Sequence, residues 1–148
     1  MLQATSYKLQ ATSYKLIPTH MAALKEIKIL VVDDDPFILE MYVIKFKEQG
    51  FHIDTATDGK TALDKIAVDE PDIMLLDVVM PHMDGFDVIK KIRESKMPHK
   101  FKIIFLTNFG QKEDVDRGMQ LGADGYIIKA HFTPSEVVAK VKEVLNIT

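Results

Sequence analysis

The chain has 148 residues, 47% hydrophobic and 28% charged, with a formal net charge of -3 and neither cysteine nor tryptophan. That length suits one ordinary domain, because two would each be too small to bury a good core. Lack of cysteine excludes disulfides, zinc–thiolate centres and thiol nucleophiles, no apolar run reaches the roughly 18 residues of a membrane span, and the acidic balance argues against a nucleic-acid surface.

The first twenty residues stand apart. Residues 2–8 read LQATSYK and residues 9–15 repeat it. One strongly apolar residue per repeat (Leu2, Leu9) is too sparse for a coiled-coil seam, and two copies are too few for a solenoid. With His20-Met21 at its end, the segment 1–20 reads as an expression leader and Met21 as the natural start. The alternative is a natural arm that pairs with a partner. Setting the leader aside leaves residues 21–148 as one domain with 17 basic and 22 acidic residues, a charge of -5.

From Ile27 the pattern alternates regularly. Ile27 to Val32 is a β-branched run, as expected of a strand buried on both faces. Asp35 then caps a helix that Pro36 opens, where a missing N–H costs nothing. Its apolar face is Leu39, Val43 and Phe46, widened by Ile38, Met41 and Ile44, and Gly50 is a plausible residue just past its end. Phe51 to Ala56 alternates as a second strand. Asp58-Gly59 starts a second helix through Ala62, Leu63, Ile66 and Ala67, which Pro71 stops. Ile73 to Leu76 is a third, buried strand ending at Asp77. A loop with Pro81 and Gly85 leads to a helix through Val88, Ile89 and Ile92. Lys102 to Leu106 is a fourth strand ending at Thr107, and a weak helix follows to Leu121-Gly122, with Gly118 costing up to about 1 kcal/mol inside it. Tyr126 to Ile128 is a fifth strand ending at Lys129. Thr133-Pro134-Ser135-Glu136 is a capping box, and its helix runs through Val137, Val138, Val141, Val144 and Leu145.

Strands alternating with helices in this way imply an α/β fold, a doubly wound five-stranded parallel sheet covered on both faces. Ligands bind such sheets outside the carboxyl ends of the strands. The residues there are Asp33 and Asp34, Asp77, Thr107 and Lys129. Three carboxylates at close quarters repel one another unless a cation intervenes. Oxygen ligands without His or Cys suit a hard ion, so Mg²⁺ or Mn²⁺ is expected. Thr107 and Lys129 add a neutral donor and a cation for the remaining oxygens of a phosphoryl group. The set predicts phosphate chemistry at an aspartate.

These residues lie in four blocks: Ile29-Leu30-Val31-Val32-Asp33-Asp34-Asp35-Pro36, Leu75 to Gly85, Phe105-Leu106-Thr107, and Gly122 to Lys129. In that order and spacing the chain resembles the receiver domains of two-component response regulators, over about residues 25–147. The resemblance implies a single (βα)5, flavodoxin-like domain that signals from the cytoplasm and catalyses only its own phosphorylation and dephosphorylation. It implies Asp77 as phosphoacceptor, fed by a histidine kinase or histidine phosphotransfer protein. Asp34 and Asp77 would bind the metal directly, Asp33 through water, and Val79 through its backbone carbonyl. Thr107 would be the switch hydroxyl, Lys129 its partner at the phosphoryl group, and Tyr126 the aromatic that reports the switch. The output face would be residues 111–147, meeting a downstream target or output domain, with a phosphorylation-dependent dimer also compatible. With nothing after Thr148, the chain reads as a stand-alone receiver or one excised from a longer protein.

Plainer readings hold elsewhere. Asp35 reads as a helix cap, Asp84-Gly85 as a turn and helix start, and His82 as an exposed loop residue. The family usually has a cis proline after its lysine, whereas this chain has Ala130. A cis bond before a non-proline residue costs about 2.5–4 kcal/mol, so a trans Lys129–Ala130 peptide and a shifted loop to Thr133 are expected. Val79 and Phe109 are apolar where relatives often carry polar groups, which would hinder an attacking water and prolong a phosphoaspartate. Two alternatives stand beside this reading. One is a receiver-fold interaction module independent of phosphorylation. The other is a haloacid-dehalogenase-type phosphatase using Asp33, Asp35, Thr107-Asn108 and Lys129, which lacks the final acidic pair such enzymes need.

Overall fold

The computed structural model describes residues 24, 26–95 and 99–147, so the leader expected at 1–20 lies outside the described residues. Five strands form one sheet, in spatial order β2-β1-β3-β4-β5: β1 Lys28–Val32, β2 His52–Ala56, β3 Ile73–Leu76, β4 Lys102–Thr107 and β5 Gly125–Ile128. All four pairings are parallel, with Ile29 opposite both Ile53 and Ile73, and Leu76 opposite Phe105. The doubly wound sheet expected from the alternating pattern is therefore present.

Among the described residues four α-helices connect the strands, and a fifth follows β5: α1 Pro36–Glu48, α2 Gly59–Val68, α3 Gly85–Glu94, α4 Lys112–Gln120 and α5 Pro134–Val144. Their starts follow local chemistry. Asp35 accepts from the Phe37 N–H at 2.9 Å, and Asp58 from the Thr61 N–H at 2.7 Å. Asp84 and Asp87 form a capping box, as do Thr133 and Glu136, each satisfying two of the orphan N–H groups of a helix start. Gly50, with φ +98°, takes the left-handed position just past α1, as its place in the sequence implied.

Because strand side chains alternate between faces, each strand feeds two cores. Ile29, Val31, Ile73, Leu75, Ile104 and Leu106 pack on one side under α1 and α5. Leu30, Val32, Met74, Leu76, Ile103 and Phe105 pack on the other, under α2 and α3. Every residue of β3 is fully buried, each apolar side chain contributing about 1.5–3 kcal/mol. The α1 face differs from expectation. Leu39, Tyr42 and Phe46 are its buried residues, while Met41 and Ile44 join Phe37 in solvent. Tyr42 lies three residues after Leu39 and four before Phe46, so helical geometry admits it to the buried stripe. Among the described residues no helix is long and apolar enough to cross a membrane.

Candidate functional site

The strand order reverses direction at β1 and β3, the switch point where open α/β sheets leave a crevice. Acids occupy both sides of it. The Asp33 N–H continues the ladder to the Ala56 carbonyl at 3.1 Å, and the Asp77 N–H reaches the Val32 carbonyl at 2.9 Å. The sheet itself therefore holds the backbone of both residues. Gly85 lets the following loop fold back on β3, because a Cβ there would stand 2.3 Å from the Asp77 carbonyl oxygen. Asp84-Gly85 is thus the expected turn and helix start, with a packing demand besides.

Asp33 and Asp77 are 3% and 7% exposed, and Thr107 is 1% exposed, whereas Asp34 faces solvent. Each of the three aspartates offers a carboxylate oxygen, all within 4.8 Å of one another. Asp33 Oδ1 accepts from the Asp35 N–H at 2.9 Å, and Asp77 Oδ1 from the Val79 N–H at 3.3 Å. Lys129 Nζ donates to Asp33 Oδ2 and, at 3.2 Å, to Asp77 Oδ2. Thr107 Oγ1 accepts from the Phe109 N–H at 3.1 Å. These groups line an open cavity of about 440 Å³, with Asp34, Val79, Asn108 and Phe109 at its edges.

Burial pushes the Asp33 carboxyl above its ordinary value, although its bonds to Lys129 and the Asp35 N–H pull the other way. Burial also works against the charge on Lys129, but the bond to Asp33 and the charge of Asp77 outweigh it and raise its pKa. The cluster is an acid trio only partly neutralised by one ammonium.

Asp33, Asp34, Asp77, Thr107 and Lys129 thus meet at one cavity, as their strand-end positions implied, and Val79, named by the resemblance, lines it too. Lys129 pairs with the two acids rather than with Thr107. Tyr126 is not part of the cavity lining. Its hydroxyl donates to the Phe109 carbonyl oxygen, and its ring packs on Phe105 with centroids 5.5 Å apart. Burial, then the charges of Asp114 and Asp77, push its phenol up to about 12. A Cβ on Gly118 of α4 would come within 3.0 Å of both rings, so the glycine that weakens the helix makes room for them.

His82 is exposed and lies outside the acid cavity. No cis peptide occurs among the described residues, so Lys129–Ala130 is trans, and Lys129–His131 closes as a 3-10 turn. Three neighbours of the site were not singled out for this chemistry. Asn108 accepts from the Ala130 N–H at 3.0 Å, and Ile38 and the helix cap Asp35 join the cavity wall. Asn108 and Asp35 had a signal, their places directly after Thr107 and Asp34 at strand ends.

The family model of the response regulator receiver domain matches residues 29–142. The alkaline phosphatase synthesis transcriptional regulatory protein PhoP of Bacillus subtilis (strain 168) is 41% identical over 119 residues, 80% of this chain and 48% of that protein. The probable transcriptional regulator ycf27 of Guillardia theta is 38% identical over 122 residues, 82% of this chain and 46% of that protein. The chain spans about half the length of these curated relatives. Among solved structures, chemotaxis protein CheY4 of Vibrio cholerae superposes with a TM-score of 0.74 at 31% identity, covering 80% of this chain and 98% of that one. The receiver domain of Francisella response regulator 1452 gives 0.75 at 30%, covering 82% and 98%. The BeF3-activated DrrB receiver domain gives 0.71 at 31%, covering 81% and 97%. The chain therefore belongs to the response regulator receiver family of two-component signalling.

Proposed function

We propose that Asp77 accepts a phosphoryl group from a histidine kinase or histidine phosphotransfer protein and that residues 111–147 pass the change to a downstream target. One observation carries this reading. The Asp77 carboxylate is almost fully enclosed yet opens on the cavity, beside a lysine, a buried hydroxyl and two further acids. In the transfer, an Asp77 oxygen displaces the imidazole nitrogen from phosphorus; the N–P bond breaks as the O–P bond forms, leaving an acyl phosphate. Lys129, already 3.2 Å from Asp77, stays as a countercharge to the phosphoryl oxygens. Thr107 Oγ1, which accepts from the Phe109 N–H, turns to donate its own O–H to a phosphoryl oxygen. Tyr126, bonded to the same Phe109 residue through its carbonyl, carries that movement to α4 and β5.

The donor set fits Mg²⁺ or Mn²⁺, being oxygen only and gathered within 4.8 Å. Asp34 and Asp77 would hold the ion directly, with the Val79 carbonyl, and Asp33 through water. When bound, it supplies positive charge that offsets the acid trio and the phosphoryl oxygens. The donor's docking face is best supported at α1, where Phe37, Met41 and Ile44 form an exposed apolar stripe beginning beside Ile38 at the cavity wall. Output through protein contact, in the cytoplasm and without direct nucleic-acid binding, completes the reading.

The test is mass measurement after incubation with acetyl phosphate and Mg²⁺. The wild-type protein gains one phosphoryl group, and Asp77→Asn gains none. Labelling that survives Asp77→Asn defeats the proposal. Turnover of p-nitrophenyl phosphate lost in Asp33→Asn would favour the phosphatase, and an α4–β5–α5 face unchanged on phosphorylation would favour a phosphorylation-independent module.

A further inference from the structure

The peptide joining Lys129 to Ala130 is held at both of its polar atoms. Its carbonyl accepts from the Phe132 N–H at 3.3 Å, closing the 3-10 turn. Its N–H donates to Asn108 Oδ1 at 3.0 Å, across the gap between the ends of β4 and β5. A peptide unit is planar and rigid, so fixing both ends fixes the plane, and with it the direction in which Lys129 leaves the backbone. That direction matters, because Lys129 Nζ must span from the end of β5 to Asp33 and Asp77, just past the ends of β1 and β3. The arrangement needs two particular residues. Residue 130 must carry an N–H, which proline lacks. Residue 108 must present an acceptor at the rim of the site, and Asn108 lines the same cavity as Asp77.

We infer that Asn108 is a positioning residue which, by gripping the Ala130 N–H, aims Lys129 at the phosphoacceptor. Asn108 directly follows Thr107, so the clamp also ties the switch hydroxyl to the lysine: movement of one loop is felt by the other. The consequence for phosphorylation rests on the proposed function of Asp77, whereas the grip on the peptide does not.

The test combines amide exchange with a double-mutant cycle on the full chain. Asn108→Leu keeps the side-chain size and removes the acceptor. It should speed NMR-detected exchange of the Ala130 amide by about fivefold or more, and weaken the Lys129 ammonium proton signal. Asn108→Asp retains an acceptor oxygen and should retain the Ala130 protection. With acetyl phosphate and Mg²⁺, Asn108→Leu should phosphorylate about three- to tenfold more slowly, the loss one modest hydrogen bond produces. In an Ala130→Pro background, where no donor remains, the same substitution should change the rate by less than about twofold. A purely structural role predicts equal slowing in both backgrounds, and that result overturns the inference. So does an Ala130 amide that stays protected in Asn108→Leu. If the wild-type protein takes no phosphoryl group, the proposed function fails, and the Ala130 and Lys129 signals decide the clamp by themselves.

Discussion

On the proposed function, Lys129 and a divalent cation would both draw on the carboxylates of Asp33 and Asp77, and replacing Lys129 with methionine turns that competition into a stability measurement. The ammonium pairs with Asp33 and Asp77, both nearly fully buried. Their facing oxygens lie within 4.8 Å, and two unit charges at that distance repel by about 3 kcal/mol at an effective dielectric constant of about 20. Protonating one acid instead caps the cost at about 4 kcal/mol at pH 7, three pH units above an ordinary carboxyl. Lys129→Met should therefore lose about 3 kcal/mol in a chelator, near the range for breaking a buried ion pair. Saturating Mg²⁺ should restore most of it, since ligand at about 100 times its dissociation constant contributes about 2.7 kcal/mol. By the same linkage, Lys129→Met should bind Mg²⁺ more tightly than the wild type. Urea unfolding at pH 7, with chelator or with Mg²⁺, reads both. A loss below about 1 kcal/mol in chelator, or one that Mg²⁺ leaves unchanged, refutes the reasoning. Asp33→Asn supplies the sign. A carboxyl whose folded pKa is raised contributes stability below its ordinary value, and that contribution is lost as pH rises through the raised one. In chelator, wild type should thus gain stability relative to Asp33→Asn as the pH falls toward the ordinary carboxyl value of about 4.

Two further outcomes bear on the phosphoryl group's arrival and departure. Val79 and Phe109 are 59% and 41% exposed at the cavity edge and offer an attacking water no hydrogen bond from their side chains. Val79→Asn or Phe109→Glu should shorten the phosphoaspartate lifetime several-fold, measured by loss of label after removing the donor; no acceleration in either speaks against apolar shielding. Phe37 is 80% exposed, so Phe37→Ser should shift stability by less than about 0.5 kcal/mol. It should slow transfer from a phosphorylated histidine kinase while leaving the acetyl phosphate rate unchanged, and equal slowing with both donors would remove α1 from the docking face.

The parts of this protein legible in its sequence are those set by local rules. Strands at Ile73–Leu76 and Lys102–Thr107 announce themselves as short apolar runs, and Asp35, Asp58 and Thr133 cap helices through bonds to residues two or three further on. The strand-end rule then places Asp33, Asp77, Thr107 and Lys129 together without any knowledge of their side chains' directions. What stayed hidden depends on contacts between distant segments. Tyr42 has the spacing of the Leu39–Phe46 stripe, but its hydroxyl marks it as polar in the sequence, and only the packing of α1 against α5 shows that it is covered while the apolar Met41 is exposed. Likewise Gly118 reads as a flaw in α4 until the rings of Phe105 and Tyr126 are seen against it.

Ala130 shows the same limit from the other side. As a sequence feature it is only a missing proline, and the cost of a cis bond predicts no more than a trans peptide and an altered loop. The structure adds the consequence: a residue that is not proline brings an N–H, and Asn108, the exposed residue directly after Thr107, has the acceptor to use it. Proline would hold this turn by restricting its own φ, a constraint internal to one loop. The N–H of Ala130 holds it by a bond to a second loop, so the same backbone position now senses where Asn108, and therefore Thr107, stands. A constraint that was local becomes one shared between the two strand ends that, on the proposed function, act together on the phosphoryl group.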